Sequence, residues 1–572
     1  MNMRKNTWIL IAILAGALLL RLPNLTGPDM ASDDAFYAFR SVGYLDYAAA
    51  TNRQSTPVTW FDTAQWWQWL SFHDAPPLVF AIEYIFFELF GHSIFVARLP
   101  FILAGLASIY AVFLLGRILG DARAGLVAAA ALAAMNYHVW ISRIGFLDGF
   151  LILWIALSLY FFLKATASPS YYLLWGAAAA AGILTKYTFL FMGFVFLTLL
   201  LTSHKDAWKN RRFLLGLALF FILLTPILSY NIMMWSTRGH PDAAFSTLLG
   251  MQPEDFRGLT RTTGTNPFRI IGVITTIGRQ FSPGITGIAI LSFFGALIAS
   301  IRYHQRRKIY IPLLIGTISL LTMLTVIGDH ERYGVIILPF VTLIAALEGI
   351  RLWDWNGARA QKIIIVAVGL VAALEITFTV QNQLLPAPLL TNPLLPSTTR
   401  PRWEGYNVLD SYMDSFYKTF PDPSDIIIFA EAPQLAEYQR QRILTRQKKY
   451  GADGPRQKHL VVFDNRMEWM PALWIFERRR LYDNMPIHSL DQFLETISTK
   501  GIKGYATFGI EEVTFIIAAD TTTLNAGTHH ELFDRFLEKL FATAKPIDYI
   551  RNADGKISFM IFRAPLLPQT KK

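Results

Sequence analysis

Long apolar runs constrain this chain more than any other feature of its sequence. Eleven runs, each near 20 residues long, alternate with short polar stretches. They cover residues 7–22, 95–116, 124–141, 148–164, 170–185, 187–202, 213–230, 284–301, 309–327, 333–350 and 362–380. A run of this length can cross a bilayer as an α-helix, and a water-soluble core rarely needs one. The pattern predicts a polytopic α-helical membrane protein with about 11 transmembrane helices.

Composition supports this class and excludes others. The 572 residues are 53% hydrophobic and 16% charged, whereas soluble domains carry about a quarter charged residues. The net charge of +11 does not indicate nucleic acid, because the basic residues lie mostly in short loops between the runs. The absence of cysteine excludes disulfides and thiol nucleophiles. No small-residue cleavage site follows the first run, so we expect an uncleaved first helix.

The basic loops alternate along the chain, which predicts orientation. They are residues 4–5, 117–123, 164, 205–212, 302–308 and 351–362. Because positive loops stay inside, we expect these stretches and the N-terminus in the cytoplasm of a bacterial inner (plasma) membrane. The other side then holds residues 23–94, 136–148, Lys186, 231–268, 329–332 and everything after 381.

Two regions on this outer side have predicted structure of their own. The first outer loop, residues 23–94, predicts amphipathic helices at 34–50 and 60–70, and an interfacial or re-entrant helix at 76–91; residues 265–280 suggest another. The composition becomes that of a soluble domain in the C-terminal segment, which predicts a membrane domain over 1–390 and an extracytoplasmic α/β domain over 391–572. Its expected strands are 425–429, 459–463, 505–508, 513–518 and 557–562, with helices at 433–443 and 471–480.

Ionisable residues gather on the same outer side. Asp33 and Asp34 could act as a general base, bind a cation or solvate the loop. His73 and Asp74 precede the helix-starting pair Pro76-Pro77, so they could belong to an active-site loop or help to start that helix.

Cations also fall at the predicted outer span ends. Arg143 could pair with Asp148 or serve function, and Lys186 has the same two alternatives. Arg332 and Tyr333 could bind a phosphate through a fork of donors and a phenol, or form an ordinary charged turn.

Together these motifs resemble the GT-C glycosyltransferases. The resemblance rests on Asp33-Asp34-Ala35-Phe36-Tyr37 after the first helix, on Asp74-Ala75-Pro76-Pro77-Leu78, and on the segments SRIGFLDGFL (142–151) and ERYGVIILPF (331–340). It covers roughly residues 1–350. The chain is most similar to bacterial relatives of protein O-mannosyltransferases and of the lipid A aminoarabinose transferase.

The resemblance implies a polyprenyl-phosphate sugar, such as an undecaprenyl-phosphate sugar, as donor at the outer membrane face. It implies that Asp33 is the acidic residue at the family's catalytic position, Asp34 its acidic neighbour and Asp148 a second carboxylate, with Tyr333 near the lipid phosphate. Ala75 departs from the pattern, because relatives often have His or Lys there.

The chemistry of such a transfer agrees with these residues. A base must act on the acceptor hydroxyl, and positive charge must meet the leaving phosphate. Asp33 is the expected base; Arg143, Lys186 and Arg332 are the candidate phosphate ligands. A divalent cation, Mg²⁺ or Mn²⁺, could share that task, although no ligand spacing requires one.

The predicted function is therefore an inverting glycosyl transfer, hexosyl or pentosyl, to an envelope lipid, glycan or protein. The alternative is a transporter or flippase of an amphipathic envelope substrate. Transporters often carry internal repeats and polar mid-membrane helices, and neither is found in this sequence.

Overall fold

The computed structural model describes residues 3–47, 56–256, 269–328, 330–387, 399–418, 433–450, 458–519 and 531–566. The chain forms two compact units, each built from separate stretches. Unit 1 comprises Met1–Leu25, Leu70–Ile82 and Phe95–Pro401, and unit 2 comprises Thr26–Trp69, Glu83–Ile94 and Arg402–Lys572. The predicted boundary between residues 390 and 391 lies outside the described residues and stays a prediction.

Helices dominate the first four hundred residues. In chain order they are α1 (Met3–Leu19), α2 (Asp33–Gly43), α3 (Leu78–Phe90), α4 (Ile94–Leu119), α5 (Ala122–Ala134), α6 (Asn136–Arg143), α7 (Leu147–Lys164), α8 (Tyr171–Thr185), α9 (Met192–Thr202), α10 (Arg211–Leu223), α11 (Thr225–Arg238), α12 (Ala243–Leu248), α13 (Arg269–Gly278), α14 (Pro283–Arg302), α15 (His304–Ile327), α16 (Leu338–Trp355) and α17 (Ala358–Gln383). Short 3₁₀ turns occupy Pro57–Thr59, Trp66–Trp69, Tyr187–Phe191, Ala207–Lys209, Glu254–Phe256 and Tyr333–Ile337.

All eleven apolar runs form helices, as predicted. Six helices in the described chain are long and apolar enough to cross a membrane, and eight if each of two bent pairs is one span. The bent pairs are α5–α6, at 62°, and α10–α11, at 45°. The runs at 170–185 and 187–202 form shorter apolar helices. The eleven predicted crossings therefore exceed the eight that helix length and composition support in the described chain.

The break between α5 and α6 is closed by side chains of α17. A break in a membrane helix leaves backbone groups without helical partners, which lipid cannot satisfy. The carboxylate of Glu375 accepts the Asn136 N–H at 2.7 Å, and the Thr379 hydroxyl donates to the Ala134 carbonyl at 2.9 Å. α17 thereby stabilises the bend between α5 and α6, the helix that ends at Arg143.

Two basic loops predicted on the cytoplasmic side contact each other. The Arg123 guanidinium, at the start of α5, donates to both carboxylate oxygens of Asp354 at 2.8 and 3.0 Å. Asp354 lies in the last turn of α16, within the basic stretch 351–362. The contact agrees with the predicted sorting of these two loops to one side.

Unit 2 contains a five-stranded mixed sheet. Its strands are β1 (His459–Phe463), β2 (Ile487–Ser489), β3 (Glu512–Ala518), β4 (Asp548–Arg551) and β5 (Ile557–Pro565), in the order β2-β1-β3-β5-β4. β1 is parallel to β2 and β3, and β5 is antiparallel to β3 and β4. The helices of this part are α18 (Tyr406–Lys418), α19 (Pro433–Tyr450), α20 (Trp469–Ala472), α21 (Arg478–Tyr482), α22 (Leu490–Lys500), α23 (Lys503–Ala506) and α24 (Glu531–Thr543), with a π-helical turn at Leu473–Glu477.

The C-terminal part thus contains the predicted sheet and helices, with two differences. The predicted strand at 505–508 is wrong, because Gly504 and Gly509 bracket a segment that forms α23 and a turn. The Tyr505 ring points into the core and stacks on Phe493 at 5.5 Å. The short strands β2 and β4 were not predicted, and the predicted strand at 425–429 lies outside the described residues.

Candidate active site

Three helix ends meet at one position in unit 1. Asp148 lies in the first turn of α7, and Lys186 directly follows α8. Tyr333 begins the 3₁₀ turn that leads into α16. These residues are far apart in sequence, and loop charge alone placed all of them on one side of the membrane. Their contact agrees with that sorting.

Asp148 and Lys186 form an ion pair at this position. The Lys186 ammonium lies 2.8 Å from each carboxylate oxygen of Asp148. The Asp148 side chain is 2% exposed and that of Lys186 is 17% exposed. A buried carboxylate needs such a partner, because an unpaired charge is costly away from water. The accessible part of the pair is therefore the cation.

Two cations surround the Tyr333 ring. The Lys186 ammonium lies 4.4 Å from the ring centroid, and the Arg332 guanidinium carbon lies 5.2 Å from it. Arg332 also lies 5.6 Å from the ring centroid of Phe146. Cation–π contacts of this kind hold long side chains in place. We call Asp148, Lys186, Arg332 and Tyr333 the cationic cluster; it carries two positive charges and one negative charge.

Arg143 has its hydrogen bonds in a different place. Its guanidinium donates to the carbonyls of Arg21, Pro23 and Asn24 at 2.6, 2.9 and 3.2 Å. Arg98 supports the same stretch by donating to the Leu25 carbonyl at 2.7 Å. The sequence left open an ion pair between Arg143 and Asp148. In the structure Asp148 pairs with Lys186 instead. Arg143 fastens the chain that leaves α1.

The predicted base lies in unit 2, at the start of α2. Asp33 and Asp34 occupy its first turn, where carboxylates are stabilised by the free backbone N–H groups and the helix dipole. Asp33 is half-buried and accepts a hydrogen bond from the Tyr37 hydroxyl at 3.1 Å. Asp34 is 2% exposed and accepts the N–H groups of Ser32 and Ala35 at 3.2 and 3.0 Å. The neighbours therefore differ in access to substrate.

A second buried carboxyl lies within the same unit. Glu83, on α3, accepts a hydrogen bond from the Ser41 hydroxyl at 3.0 Å. Burial raises the pKa of the Glu83 carboxyl well above its usual range, and the negative charge of Asp34 raises it further. Sequence analysis missed Glu83, because neither Glu83 nor Glu88, the two acids of this apolar helix, belongs to a motif.

His73 and Asp74 lie in a turn of unit 1. The His73 ring is buried and stacks on Phe256, with centroids 5.6 Å apart. Its carbonyl accepts the Ala243 N–H at 2.8 Å. Asp74 is half-buried. The turn is thus packed against the loop between α11 and α13.

That loop contains polar groups that the sequence did not reveal. Asp242 is buried, and its carboxylate accepts from the Tyr187 hydroxyl at 2.7 Å and from the Asn231 amide at 3.0 Å. Burial raises the pKa of Asp242. Asp255 contacts Arg238 and His240. Asp242 precedes α12 as its N-cap, a signal that could have been recognised.

Comparisons with known proteins agree with this architecture. Residues 74–230 match the family model described as dolichyl-phosphate-mannose-protein mannosyltransferase. The chain is similar to ArnT from Cupriavidus metallidurans in the apo state, with 14% identity, 98% coverage of each chain and a TM-score of 0.53. The same protein bound to undecaprenyl phosphate gives 14% identity, 98% coverage of each chain and a TM-score of 0.55.

A weaker likeness links the chain to the archaeal oligosaccharyltransferase AglB from Archaeoglobus fulgidus, in complex with an inhibitory peptide and a dolichol-phosphate. The identity is 13%, the coverage 89% of this chain and 69% of that chain, and the TM-score 0.46, which is too low to support an argument. Curated protein sequences give no match. The fold class and the family resemblance predicted from the sequence are confirmed.

Proposed function

We propose that this chain, which resembles the GT-C glycosyltransferases in motifs and fold, is a polyprenyl-phosphate-dependent membrane glycosyltransferase. It moves one sugar from an undecaprenyl-phosphate-like donor to an envelope lipid, glycan or protein. The observation that carries the proposal is the cationic cluster, where two cations meet a tyrosine ring at the ends of apolar helices. A lipid phosphate needs such a site at the depth of its headgroup.

The charge balance of the cluster suits a departing phosphate. Asp148 offsets the positive charge of Lys186 in part, and Arg332 adds a second cation beside the Tyr333 ring, so both cations can act on the phosphodiester of the donor. When the sugar–phosphate bond breaks, the phosphate gains a second negative charge, and the field of Lys186 and Arg332 acts most strongly on that state. Arg332 offers a planar fork of donors, whereas Lys186 acts as a point charge.

Asp33 supplies the other half of the reaction. Its carboxylate takes the proton of the acceptor hydroxyl while the acceptor oxygen forms a bond to the anomeric carbon. The bond from that carbon to the phosphate oxygen breaks, and the electron pair leaves with the phosphate. A single displacement of this kind inverts the anomeric centre. Asp33 is the better base because it is half-buried, whereas the Asp34 carboxylate is buried and committed to backbone N–H groups.

A divalent cation is the second candidate for neutralising the phosphate. Mg²⁺ and Mn²⁺ prefer carboxylate oxygens, and half-buried Asp74, beside His73, offers such a ligand. Lys186 and Arg332 can neutralise the phosphate without a metal ion. We therefore propose these two side chains as the principal phosphate ligands. Arg143, whose donors are used by backbone carbonyls, is proposed to hold the chain leaving α1.

The proposed location is the bacterial inner membrane, with the N-terminus cytoplasmic and residues 391–572 periplasmic. Two observations support the sorting of these stretches to two sides, and the positive charge of the loops indicates which side is cytoplasmic. The residues predicted outside meet in the cationic cluster, and two loops predicted inside meet through Arg123 and Asp354. Periplasm-active reporter fusions test it; a fusion after residue 400 that is active only in the cytoplasm would reverse the orientation.

Mass spectrometry of envelope lipids, with and without the protein, tests the function. We expect a polyprenyl-phosphate sugar to accumulate without the protein and also with Lys186→Ala. A chain carrying Arg123→Ala, which loses a cation at the opposite end of the helices, should behave as wild type. If the donor lipid does not accumulate and an intact lipid-linked substrate is instead retained on one leaflet, the chain is a transporter or flippase.

A further inference from the structure

The stretch before the proposed base is bonded to the C-terminal part of the chain within unit 2. Asp29 accepts hydrogen bonds from the N–H groups of Glu404, Gly405 and Asn407, the last two at 3.0 and 2.9 Å. These N–H groups precede and begin α18, so Asp29 caps that helix from a distant part of the sequence. Gly405 has a φ of +98°, a conformation that glycine adopts readily and that helps to turn the three groups toward one carboxylate.

The Asn407 side chain in turn bonds the backbone on both sides of Asp29. Its amide nitrogen donates to the carbonyls of Thr26 and Pro28, the first at 2.7 Å, and its amide oxygen accepts the Met30 N–H at 2.9 Å. The Asp29 N–H donates to the Arg402 carbonyl at 2.9 Å. Asp29 is 7% exposed and Asn407 is 5% exposed. One side chain on α18 thus satisfies three backbone groups of residues 26–30, which end three positions before Asp33. We call this pair the Asp29–Asn407 clamp.

α2 and α18 are fixed on the same helical segment of unit 2. The Phe36 ring lies 5.4 Å from that of Trp469, and the Phe39 ring lies 5.5 Å from that of Tyr482. α18 is bound to this segment through Asp410, which accepts from the Trp474 indole at 3.1 Å.

Asp410 also binds Arg479 at 2.7 Å. Burial alone would raise the pKa of the Asp410 carboxyl, but the charges of Arg479 and Arg478 hold it below the usual range. The chain around Asp33 is therefore held before the carboxylate by residues of 402–407 and after it by residues of 469–482.

From this geometry we infer that Asp29 and Asn407 are positioning residues for Asp33, and that the C-terminal domain acts in transfer by orienting the catalytic carboxylate. The inference rests on the proposed function of Asp33. A base displaced by about 1 Å from its acceptor can lose about a hundredfold in rate. The clamp lies before the base and does not belong to the cationic cluster, so its loss should lower kcat and leave donor affinity unchanged.

Asn407→Ala in the full-length purified protein tests the inference, with undecaprenyl phosphate as the probe of the donor site. We expect kcat for transfer to fall about tenfold or more, with undecaprenyl phosphate affinity within about twofold of wild type. Asn407→Asp keeps an acceptor for the Met30 N–H but places a carboxylate oxygen against the Thr26 and Pro28 carbonyls, so it should lower kcat at least as far as Asn407→Ala. Asn382→Ala is the matched control, because Asn382 is a buried amide outside unit 2 that donates to the Phe378 carbonyl at 2.9 Å.

A thiol probe follows the loop without relying on catalysis. The natural chain has no cysteine, so Ser32→Cys provides a unique thiol beside Asp33, and Lys205→Cys provides an exposed reference. We expect Asn407→Ala to speed labelling at position 32 about threefold or more and to leave labelling at 205 unchanged. This result stands even if no sugar donor supports turnover, which would count against the proposed function only.

Three results would overturn the positioning role. The first is unchanged kcat in Asn407→Ala, whatever the labelling rate. The second is a fall in kcat that Asn382→Ala reproduces. The third is a parallel loss of kcat, undecaprenyl phosphate affinity and melting temperature, which would mean that the clamp only supports folding.

Discussion

The ammonium of Lys186 lies 2.8 Å from both carboxylate oxygens of Asp148, and on its other side it lies 4.4 Å from the Tyr333 ring. One cation therefore joins the start of α7 to the turn that leads into α16. The pair can serve stability, donor binding or both, and substitutions separate these roles.

Lys186→Met should lower both stability and turnover. Loss of one partner from a fully buried ion pair costs about 3–5 kcal/mol; because Lys186 is 17% exposed, we expect a smaller cost. Adding Asp148→Leu removes the uncompensated carboxylate, so the double variant should recover most of the melting temperature in detergent. Its turnover should stay low, because the phosphate still lacks its cation. Recovery of turnover together with stability would make the pair purely structural.

Asp33→Asn preserves shape but cannot take a proton. We expect transfer to fall by about a hundredfold or more, with unchanged melting temperature and unchanged undecaprenyl phosphate affinity. Compared with Asp33→Asn, Asp34→Asn should lower turnover less and lower the melting temperature more, since Asp34 accepts two backbone N–H groups. An inactive Asp34→Asn beside an active Asp33→Asn would show that the base is the buried neighbour.

Arg332 tests the importance of the planar fork. Arg332→Lys keeps the charge and loses bidentate geometry, so its turnover should lie between those of wild type and Arg332→Ala. The effect should be larger on turnover than on donor affinity, because the phosphate gains charge as the bond breaks. Kinetics with a synthetic polyprenyl-phosphate sugar measures the two separately. Full activity in Arg332→Ala would mean that Arg332 is a charged turn residue.

Glu83 should make stability depend on pH. Its pKa is raised by burial and by Asp34, so the folded protein retains a proton that the unfolded chain releases above about pH 4.3. Stability should therefore fall as pH rises from that value to the raised pKa, by at most about 1.4 kcal/mol per pH unit. Glu83→Gln should make the melting temperature depend less on pH over this range. An unchanged slope would mean that Glu83 is ionised in the folded protein.

Chelation distinguishes the two candidate phosphate partners. If Lys186 and Arg332 neutralise the phosphate, transfer after treatment with EDTA should stay within about twofold of the untreated rate. A complete loss that Mg²⁺ or Mn²⁺ restores, and that Asp74→Asn reproduces, would assign the main role to a cation.

The sequence predicted what depends on local pattern. Apolar length gave all eleven helical runs, and loop charge gathered Asp148, Lys186, Arg332 and Tyr333 on one side before any contact was known. It could not choose the partner of Asp148, because Arg143 and Lys186 differ only in tertiary placement.

Polar contacts between residues far apart in the chain could not be predicted from the sequence. Asp29 and Asn407 are 378 positions apart, and neither lies in a motif, so nothing indicated that they bind each other. The prediction of a strand at 505–508 is wrong because Tyr505 packs into the core from the short helix α23, whereas Phe508 is exposed in the turn that follows. Local propensity does not separate such a segment from a strand.

Affinity for undecaprenyl phosphate, measured for wild type, Lys186→Ala and Arg123→Ala, tests the central claim most directly. This lipid is the released product for any sugar on an undecaprenyl-phosphate donor, and its phosphate carries the full charge that the cationic cluster is proposed to meet. We predict at least about tenfold weaker binding for Lys186→Ala and wild-type binding for Arg123→Ala. Equal affinity in all three proteins would contradict the assignment of the donor phosphate to this cluster.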